Sequence, residues 1–378
     1  MKICYLGNAT SIHTQKWAKS FAKLGHEVTL LTFDFQEIEG VNCELISTKF
    51  RNKYQQYFLE TQQVRNRLAE LEPDIIHAHW LPTYGLLASL VGYHPIVVSA
   101  WGGDVQRAPF QGNKKWFYRL INKYVIAKAD IITTESEVLK EILLKKFNTP
   151  AGKIATFPWG VDTNIYSCKN EAEIEAIKSK LNISNNSNVI IYNREIRVEY
   201  NTEILLRAIP EILAQAPDTV VIFLGGYGDP SYITKMQQLA EELEVAHAIK
   251  IIPEVLSQED VGELLNISDV FVSIPKQDSI SCAVLEGMLC GVIPVVSDLP
   301  ANRQLISNRE NGYLVSGNCP HELAESISIA LINKRILKNT MGQANRIWVT
   351  DNASWNFSLK AMLHIYNNLV LKNLALKE

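Results

Sequence analysis

Short apolar runs rich in valine, isoleucine and leucine recur along the chain, and stretches with helical spacing separate them. In the first half the runs are Lys2–Leu6, Val28–Phe33, Pro73–His79, Ile96–Ala100 and Asp130–Glu135. In the second half they are Val189–Tyr192, Val220–Leu224, Ile249–Ile252, Asp269–Ile274 and Val292–Ser297. Runs of this length without strict alternation suit strands covered on both faces. The segments between them read as helices. Trp17, Ala18, Phe21, Ala22 and Leu24 share a face before Gly25-His26, Lys49 to Arg67 is polar and helical, and Ser136–Lys146 and Ile233–Leu243 follow suit. The tail from Trp355 to Leu376 places Trp355, Leu359, Met362, Leu363 and Tyr366 on one side. Strand, helix, strand in repetition predicts parallel sheets in an α/β fold. The rhythm pauses at Phe157-Pro158-Trp159-Gly160-Val161-Asp162, rich in turn residues, and restarts beyond it.

The densest stretch is Asp269–Arg303, DVFVSIPKQDSISCAVLEGMLCGVIPVVSDLPANR. It reads as strand, polar loop Pro275–Ile280, and a helix carrying Val284, Leu285, Met288 and Leu289. Gly291 ends that helix before the strand Val292–Ser297. Ser281 or Ser279 is placed to cap the helix. In a parallel βαβ unit the ligand crevice lies at the carboxyl ends of the strands. Asp278 and Glu286 stand there, and Glu286 falls on a mostly buried segment where a carboxylate needs hydrogen-bond donors. On spacing alone they are either a site pair or a satisfied helix acid beside an ordinary loop acid.

Other loops carry candidate chemistry at the same edge. Asn193 to Asn201 places Arg194 and Arg197 between a strand and a helix, where guanidinium groups suit a pyrophosphate. Surface ion pairs with Glu195 or Glu199 are the alternative. Gly7 and Asn8 open a turn before a helix, a place for backbone N–H groups to meet phosphate, with His13 in the first turn as a ligand contact or a structural residue. The GxGxxG fingerprint is missing, which counts against a nicotinamide or flavin cofactor. Asp104, after Trp101-Gly102-Gly103 at a strand end, is a further site candidate. His77 and His79 face the same way on their strand, but no third ligand for a metal is evident. Asn113–Lys128 interleaves basic and aromatic residues, as a packed helix with a lysine face or as a helix that meets an anionic membrane surface or lipid-linked acceptor.

Length and composition narrow the picture. A chain of 378 residues predicts two domains. A net charge of −3 excludes bulk nucleic-acid binding as the main role. The six cysteines are scattered, with no CxxC pair, and read as buried free thiols in a reducing compartment. The first residues hold too short an apolar run for a signal peptide, and no segment approaches bilayer-spanning length. A soluble, cytosolic protein is expected.

The stretch Gly287 to Asp298, with Asp278 and Glu286 ahead of it, resembles the signature of the retaining glycosyltransferases of family 4. There an acid, seven residues and a glutamate precede a run like "AMACGVPVVASD". Here Asp278 stands where the family usually has glutamate. Thr14-Gln15-Lys16-Trp17 with Gly25-His26-Glu27-Val28 resembles the family's first βα unit, and FPWGVDTNIY (157–166) its interdomain segment. Arg194 falls where the family has the arginine that holds the donor diphosphate. The usual lysine five residues later is Glu199, and the chain instead resembles a subgroup with Arg194, Arg197, Tyr200 and Asn201. Trp101 replaces the histidine that usually precedes G-x-D.

The resemblance implies a GT-B fold, two Rossmann-like domains facing across a cleft. The expected domains are 1–163, completed by the C-terminal helix 355–378, and 164–354. It implies a nucleotide-diphosphate sugar as substrate, no cofactor and no metal, and a glycan, lipid-linked or polysaccharide acceptor. Glu286 would hold the ribose, Asp278 the sugar hydroxyls, and Arg194 with Arg197 the diphosphate. Ser279, Ile280, Ser281 and Cys282 would lie beside phosphate and sugar, with Tyr200, Asn201, Gly226 and Glu254 completing the donor site. Asp104 joins Asp278 and Glu286 as a catalytic candidate; Gly7, Asn8 and His13 are expected on the acceptor side. Peripheral contact with the inner membrane face is a further expectation. Two other functions remain: a sugar-nucleotide epimerase on the same architecture, for which His247, His321 and His364 lie outside the site loops, and a catalytically idle binding protein.

Overall fold

The computed structural model describes residues 1–46, 53–107, 109, 110 and 112–375. They form two compact units: Met1–Pro158 with Leu359–Glu378, and Trp159–Ser358. The observed divide therefore falls within FPWGVD, a few residues ahead of the expected one.

The first unit holds β1 (Lys2–Leu6), β2 (Glu27–Thr32), β3 (Asn42–Leu45), β4 (Ile75–His79), β5 (Ile96–Ser99), β6 (Ile131–Thr134) and β7 (Ile154–Thr156). All pair in parallel, in the order β3-β2-β1-β4-β5-β6-β7. The second unit holds β8 (Asn188–Tyr192), β9 (Thr219–Leu224), β10 (Ile249–Ile252), β11 (Val270–Ser273), β12 (Ile293–Ser297) and β13 (Tyr313–Val315). These are also parallel, in the order β10-β9-β8-β11-β12-β13. The edge strands β3, β7 and β13, of three or four residues, carry too little pattern to be read from sequence.

Continuous apolar runs become double-faced strands for a plain reason: the strand period is two, so neighbours enter opposite layers. In β8, Ile190 and Tyr192 pack into one core layer of the second unit, and Val189 and Ile191 into the other. Val270 and Val272 in β11 likewise oppose Phe271. Helix Pro230–Glu242 starts three residues ahead of the reading at Ile233, because Asp229 caps it by accepting from Ser231 N at 2.9 Å and Pro230 suits its first turn. The polar helix runs Lys53–Leu71; its expected start at Lys49 lies outside the described residues.

Gly160 is required by packing. A Cβ there would lie 2.2 Å from the Ser354 carbonyl oxygen. That close approach lets Val161 N donate to Ala353 O at 3.0 Å and Trp355 N to Val161 O at 2.8 Å, fixing the entry of the C-terminal helix. Further along, Tyr366 of that helix is fully buried in the first unit, bonded to Tyr5 (3.0 Å) and His77 (2.5 Å).

In each sheet the chain runs outward on one side and then crosses to the other. The crossings fall between β1 and β4 and between β8 and β11, and open α/β sheets bind ligands at the carboxyl ends of such strands.

Candidate active site

At the second crossing, β8 delivers Asn193 and Arg194 beside the loop that follows β11. Arg194 is nearly enclosed, with 11% of its side chain exposed, and its guanidinium lies 4.5 Å from the centre of the Tyr200 ring. It pairs with Asp278 at 3.1 Å and donates to the Ser281 hydroxyl. Ser281 occupies the N-cap position of helix Cys282–Leu289 but makes no side-chain cap bond, because its oxygen is engaged by Arg194. Ser279 is no substitute: its N–H donates to Asp278 at 3.0 Å. Burial pushes the Asp278 carboxyl above the ordinary range, against the opposing pull of Arg194. For Arg194, burial works most strongly against the charge, and Asp278 with Tyr200 and Tyr192 together outweigh it to hold the guanidinium protonated.

Two residues expected as donor contacts are scaffolding for that arginine. Tyr200 is its platform, and the Tyr200 carbonyl accepts from the Tyr192 hydroxyl at 2.6 Å. Asn201 sits in the left-handed region (φ 58°), and its side-chain amide donates to Ile274 O at 3.0 Å and Gly317 O at 2.9 Å. The loop is thereby tied to the ends of its neighbours.

Glu286 lies half-buried on helix Cys282–Leu289, whose Val284, Leu285, Met288 and Leu289 are buried. Asn193 donates to it at 3.4 Å, and the Tyr166 hydroxyl hydrogen-bonds to it. Neither partner was expected as a site residue. Asn193 abuts Arg194 and could have been suspected, whereas Tyr166 lies 120 residues before Glu286 and nothing local marks it. The Cys282 thiol rests against the Trp159 carbonyl oxygen at 3.6 Å, and Ile280 packs on the core.

Gly226 and Glu254 come together as neighbours: a Cβ on Gly226 would lie 2.4 Å from the Glu254 carbonyl oxygen, so only glycine fits. Arg197 departs from the expected pairing with Arg194. It ion-pairs with Glu195 at 2.6 Å, donates to Tyr227 O at 3.0 Å and is about half exposed.

At the first crossing the imidazoles are neutral. His79 is 1% exposed, its Nδ1 3.0 Å from the Thr14 hydroxyl, and its ring faces Trp101 at 5.3 Å. Trp101 also meets the edge of His13 at 5.6 Å. Burial pushes His13 down to about 4 and His79 down to about 3, so both imidazoles are neutral at pH 7. Asn8 uses its side chain locally, accepting from Thr10 N at 2.8 Å and donating to Asp34 at 3.1 Å. Gly7 packs against Thr14 and His79. Asp104 is fully buried, one oxygen accepting from Leu81 N (3.1 Å) and the other from Trp101 N (2.9 Å). Burial pushes it up to about 6, against those backbone donors. Its carboxylate fixes a turn.

Among the described residues no group of three or more His, Cys, Asp or Glu side chains could hold a metal ion, and no helix is long and apolar enough to cross a membrane. All six cysteines are free thiols, but only Cys4 and Cys290 are buried as expected; Cys168 is exposed and the other three lie between.

Comparison with known proteins identifies the fold and the family. Residues 2–136 match the family model "Glycosyl transferase 4-like" and residues 173–348 match "Glycosyl transferases group 1". Spore coat protein SA of Bacillus subtilis is 26% identical, over 62% of this chain and 64% of that protein, a little under two thirds of its length. The GDP-mannose-dependent monoacylated alpha-(1-6)-phosphatidylinositol monomannoside mannosyltransferase of Corynebacterium glutamicum is 22% identical, over 74% of this chain and 71% of that one. Among solved structures, a glycosyltransferase from Rickettsia africae superposes with a TM-score of 0.83 at 18% identity, covering 98% of this chain and 99% of that one. HepE of Anabaena, in complex with UDP, superposes with a TM-score of 0.81 at 16% identity, covering 98% and 100%. The fold is GT-B, and with both family models matched in sequence along most of its length, the chain belongs to glycosyltransferase family 4.

Proposed function

We propose that the carboxyl edge of the second unit binds a nucleoside-diphosphate sugar and that the chain transfers the sugar, with retention at the anomeric carbon, to a glycan, lipid-linked or polysaccharide acceptor. The observation that carries this is Arg194: an enclosed guanidinium, stacked on Tyr200 and set at a strand crossing beside Glu286. HepE was solved with UDP, and the Corynebacterium mannosyltransferase is named as GDP-mannose-dependent, which supports a nucleotide-sugar donor here.

Arg194 meets the diphosphate, its charge fixed by a pKa far above neutrality. Glu286, oriented by Asn193 and Tyr166, accepts from the ribose hydroxyls. Asp278 steers the sugar and holds Arg194 in place when no donor is bound. Ser279, Ser281 and the first N–H groups of helix Cys282–Leu289 surround the phosphate and sugar, and Gly226 with Glu254 borders the donor. The bond from the anomeric carbon to the phosphate oxygen breaks, the bond to the acceptor oxygen forms, and the acceptor's proton passes to the departing diphosphate. Catalysis then rests on positioning and on stabilising the leaving charge. Arginine does the work a divalent cation would do elsewhere, so donor binding needs no metal. The acceptor side falls to the first unit, near Gly7, Asn8 and His13, and the reaction to the cytoplasm.

The test is incubation of purified protein with UDP- and GDP-sugars, with and without EDTA. Slow release of free nucleoside diphosphate, unaffected by EDTA, is expected. An epimeric sugar product would identify an epimerase, binding without turnover an idle protein, and loss of turnover in EDTA a metal-dependent site.

A further inference from the structure

Helix Lys115–Lys128 of the first unit is laid out for a purpose the transfer site does not use. Its large apolar side chains stand in solvent: Trp116 is 67% exposed, Phe117 61%, Leu120 67% and Tyr124 39%. At 3.6 residues per turn these four fall within an arc of about 100° on the side away from the core. Asn122, Val125 and Ile126 are buried on the other side, where the Asn122 amide donates to Asp104 O at 2.8 Å. The outward stripe is therefore fixed to the loop that Asp104 organises.

Charge frames that stripe. Lys115, Arg119 and Lys123 flank it on one side, and Lys114 and Lys128 on the other, while no Asp or Glu occurs between Asp104 and Asp130 in a chain of net charge −3. These five cations make no ion pair among the described residues. Two lie over the stripe's own rings instead, Arg119 at 5.9 Å from Trp116 and Lys128 at 6.0 Å from Tyr124. An apolar arc bordered on both sides by unpaired cations is the form of a helix that lies in a membrane interface, aromatic rings at the headgroup level and lysines at anionic phosphates.

We propose that helix Lys115–Lys128 docks the protein onto an anionic lipid bilayer, with Trp116, Phe117, Leu120 and Tyr124 inserted between headgroups. The cations choose the surface. A neutral bilayer would satisfy the four apolar side chains alone, whereas this helix requires negative phosphate density along both flanks. Docking would bring the loop ending in Asp104 near the lipid surface, where a lipid-linked acceptor resides; to that extent it deepens the transfer proposal.

The full chain is sedimented with vesicles of phosphatidylcholine alone and of phosphatidylcholine with phosphatidylglycerol, with neither donor nor acceptor present. Binding is expected only to the second and should fall steeply with salt. Reversing one cation, Lys115→Glu or Lys123→Glu, lowers partitioning about five-fold or more. The pair Trp116→Ser with Leu120→Ser abolishes it, with donor hydrolysis unchanged as the sign that the fold is intact. Equal binding to both vesicles, or no loss in the variants, overturns the proposal. So does a dimer in lipid-free solution that the serine pair makes monomeric, which would assign the stripe to a second copy of the chain. Donor hydrolysis is read separately, so failure of vesicle docking and failure of the transferase proposal are distinct results.

Discussion

The two sheets share one plan, and at the same carboxyl edge they hold their polar groups in opposite electrostatic states. In the first unit His77 and His79 are fully enclosed and kept neutral, and Asp104 serves the backbone. In the second, Arg194 and Asp278 form a charged pair that solvent still reaches, at 11% and 21% exposure, with Glu286 close by in sequence and half-buried. A neutral imidazole costs less to bury than an ion, which must be paired. In the proposed reaction the charged edge meets the anionic donor and the other edge the hydroxyl-bearing acceptor.

The largest expected effect sharpens the charged side. Asp278→Asn removes the partner of Arg194 and, in the proposed reaction, the group that orients the sugar. Transfer should fall by about 10²–10³, roughly 3–4 kcal/mol, while affinity for the free nucleoside diphosphate changes less than about tenfold. Glu286→Gln should do the reverse, weakening nucleoside diphosphate binding by about 1.5–3 kcal/mol through a lost charge-assisted bond. Calorimetric nucleotide affinity set against transfer rate distinguishes the two. If Asp278→Asn transfers at full rate, or Glu286→Gln binds nucleotide as tightly as the parent, the donor assignment is lost.

Acid should separate the units next. Folded-state pKa values of His77 and His79 lie far below that of a free histidine, so their stabilising contribution is whole above about 6.5 and shrinks as pH falls. At pH 5 His79, held down to about 3, has cost about 2 kcal/mol, and His77 adds a loss of the same sign. Asp104 has the opposite sign: its carboxyl is raised to about 6, so the folded state takes up a proton early and recovers about 1 kcal/mol. His13, held down to about 4, adds to the loss, so acid destabilises the first unit on balance. In the second unit Asp278 is raised and moves the other way, and Asp269, lowered, begins to matter only below about pH 4. Amide exchange at pH 7 and pH 5 should show protection falling in β1 and β4 and holding in β8 and β11. Equal loss in both sheets would contradict the proposed difference in charge state.

How far each edge was legible in the sequence follows from how local its interactions are. Apolar runs located ten of the strands, because strands covered on both faces need nothing beyond their own composition. Arg194 and Glu286 stood out through a motif in which loop and helix are contiguous. Asp278 stood out in the same motif, but its pairing with Arg194 did not, since 84 residues separate them and only the adjacency of β8 and β11 joins them. Tyr166 reaches Glu286 from outside the sheet altogether. Arg197 was expected at the diphosphate from its charge and the subgroup resemblance; in the structure it makes the ion pair with Glu195 that its loop offered as the alternative. Asn201 entered the expected donor site through the subgroup resemblance, and its amide donates to two carbonyls that only the folded sheet presents.

Asp104 gives the smallest expected effect and tests the comparison most directly, since at a strand end after two glycines it reads as a catalytic carboxylate. In the structure both its oxygens accept backbone N–H groups. Asp104→Asn keeps one acceptor and turns an NH2 toward the other backbone N–H. The lost bond and the opposed donors should cost about 1–3 kcal/mol. Part of that returns because a buried charge is also removed, so a net loss near the low end is expected at pH 7. The variant should also lose the partial recovery between pH 6 and pH 4, making acid unfolding of the first unit steeper than in the parent. Donor hydrolysis, centred on the other sheet, should stay within a few-fold. Urea titrations across that pH range, run beside the hydrolysis assay, give both readings. If Asp104→Asn leaves stability and its pH dependence untouched while hydrolysis falls a hundredfold or so, Asp104 is a reacting group, and the neutral edge is neutral only until substrate arrives.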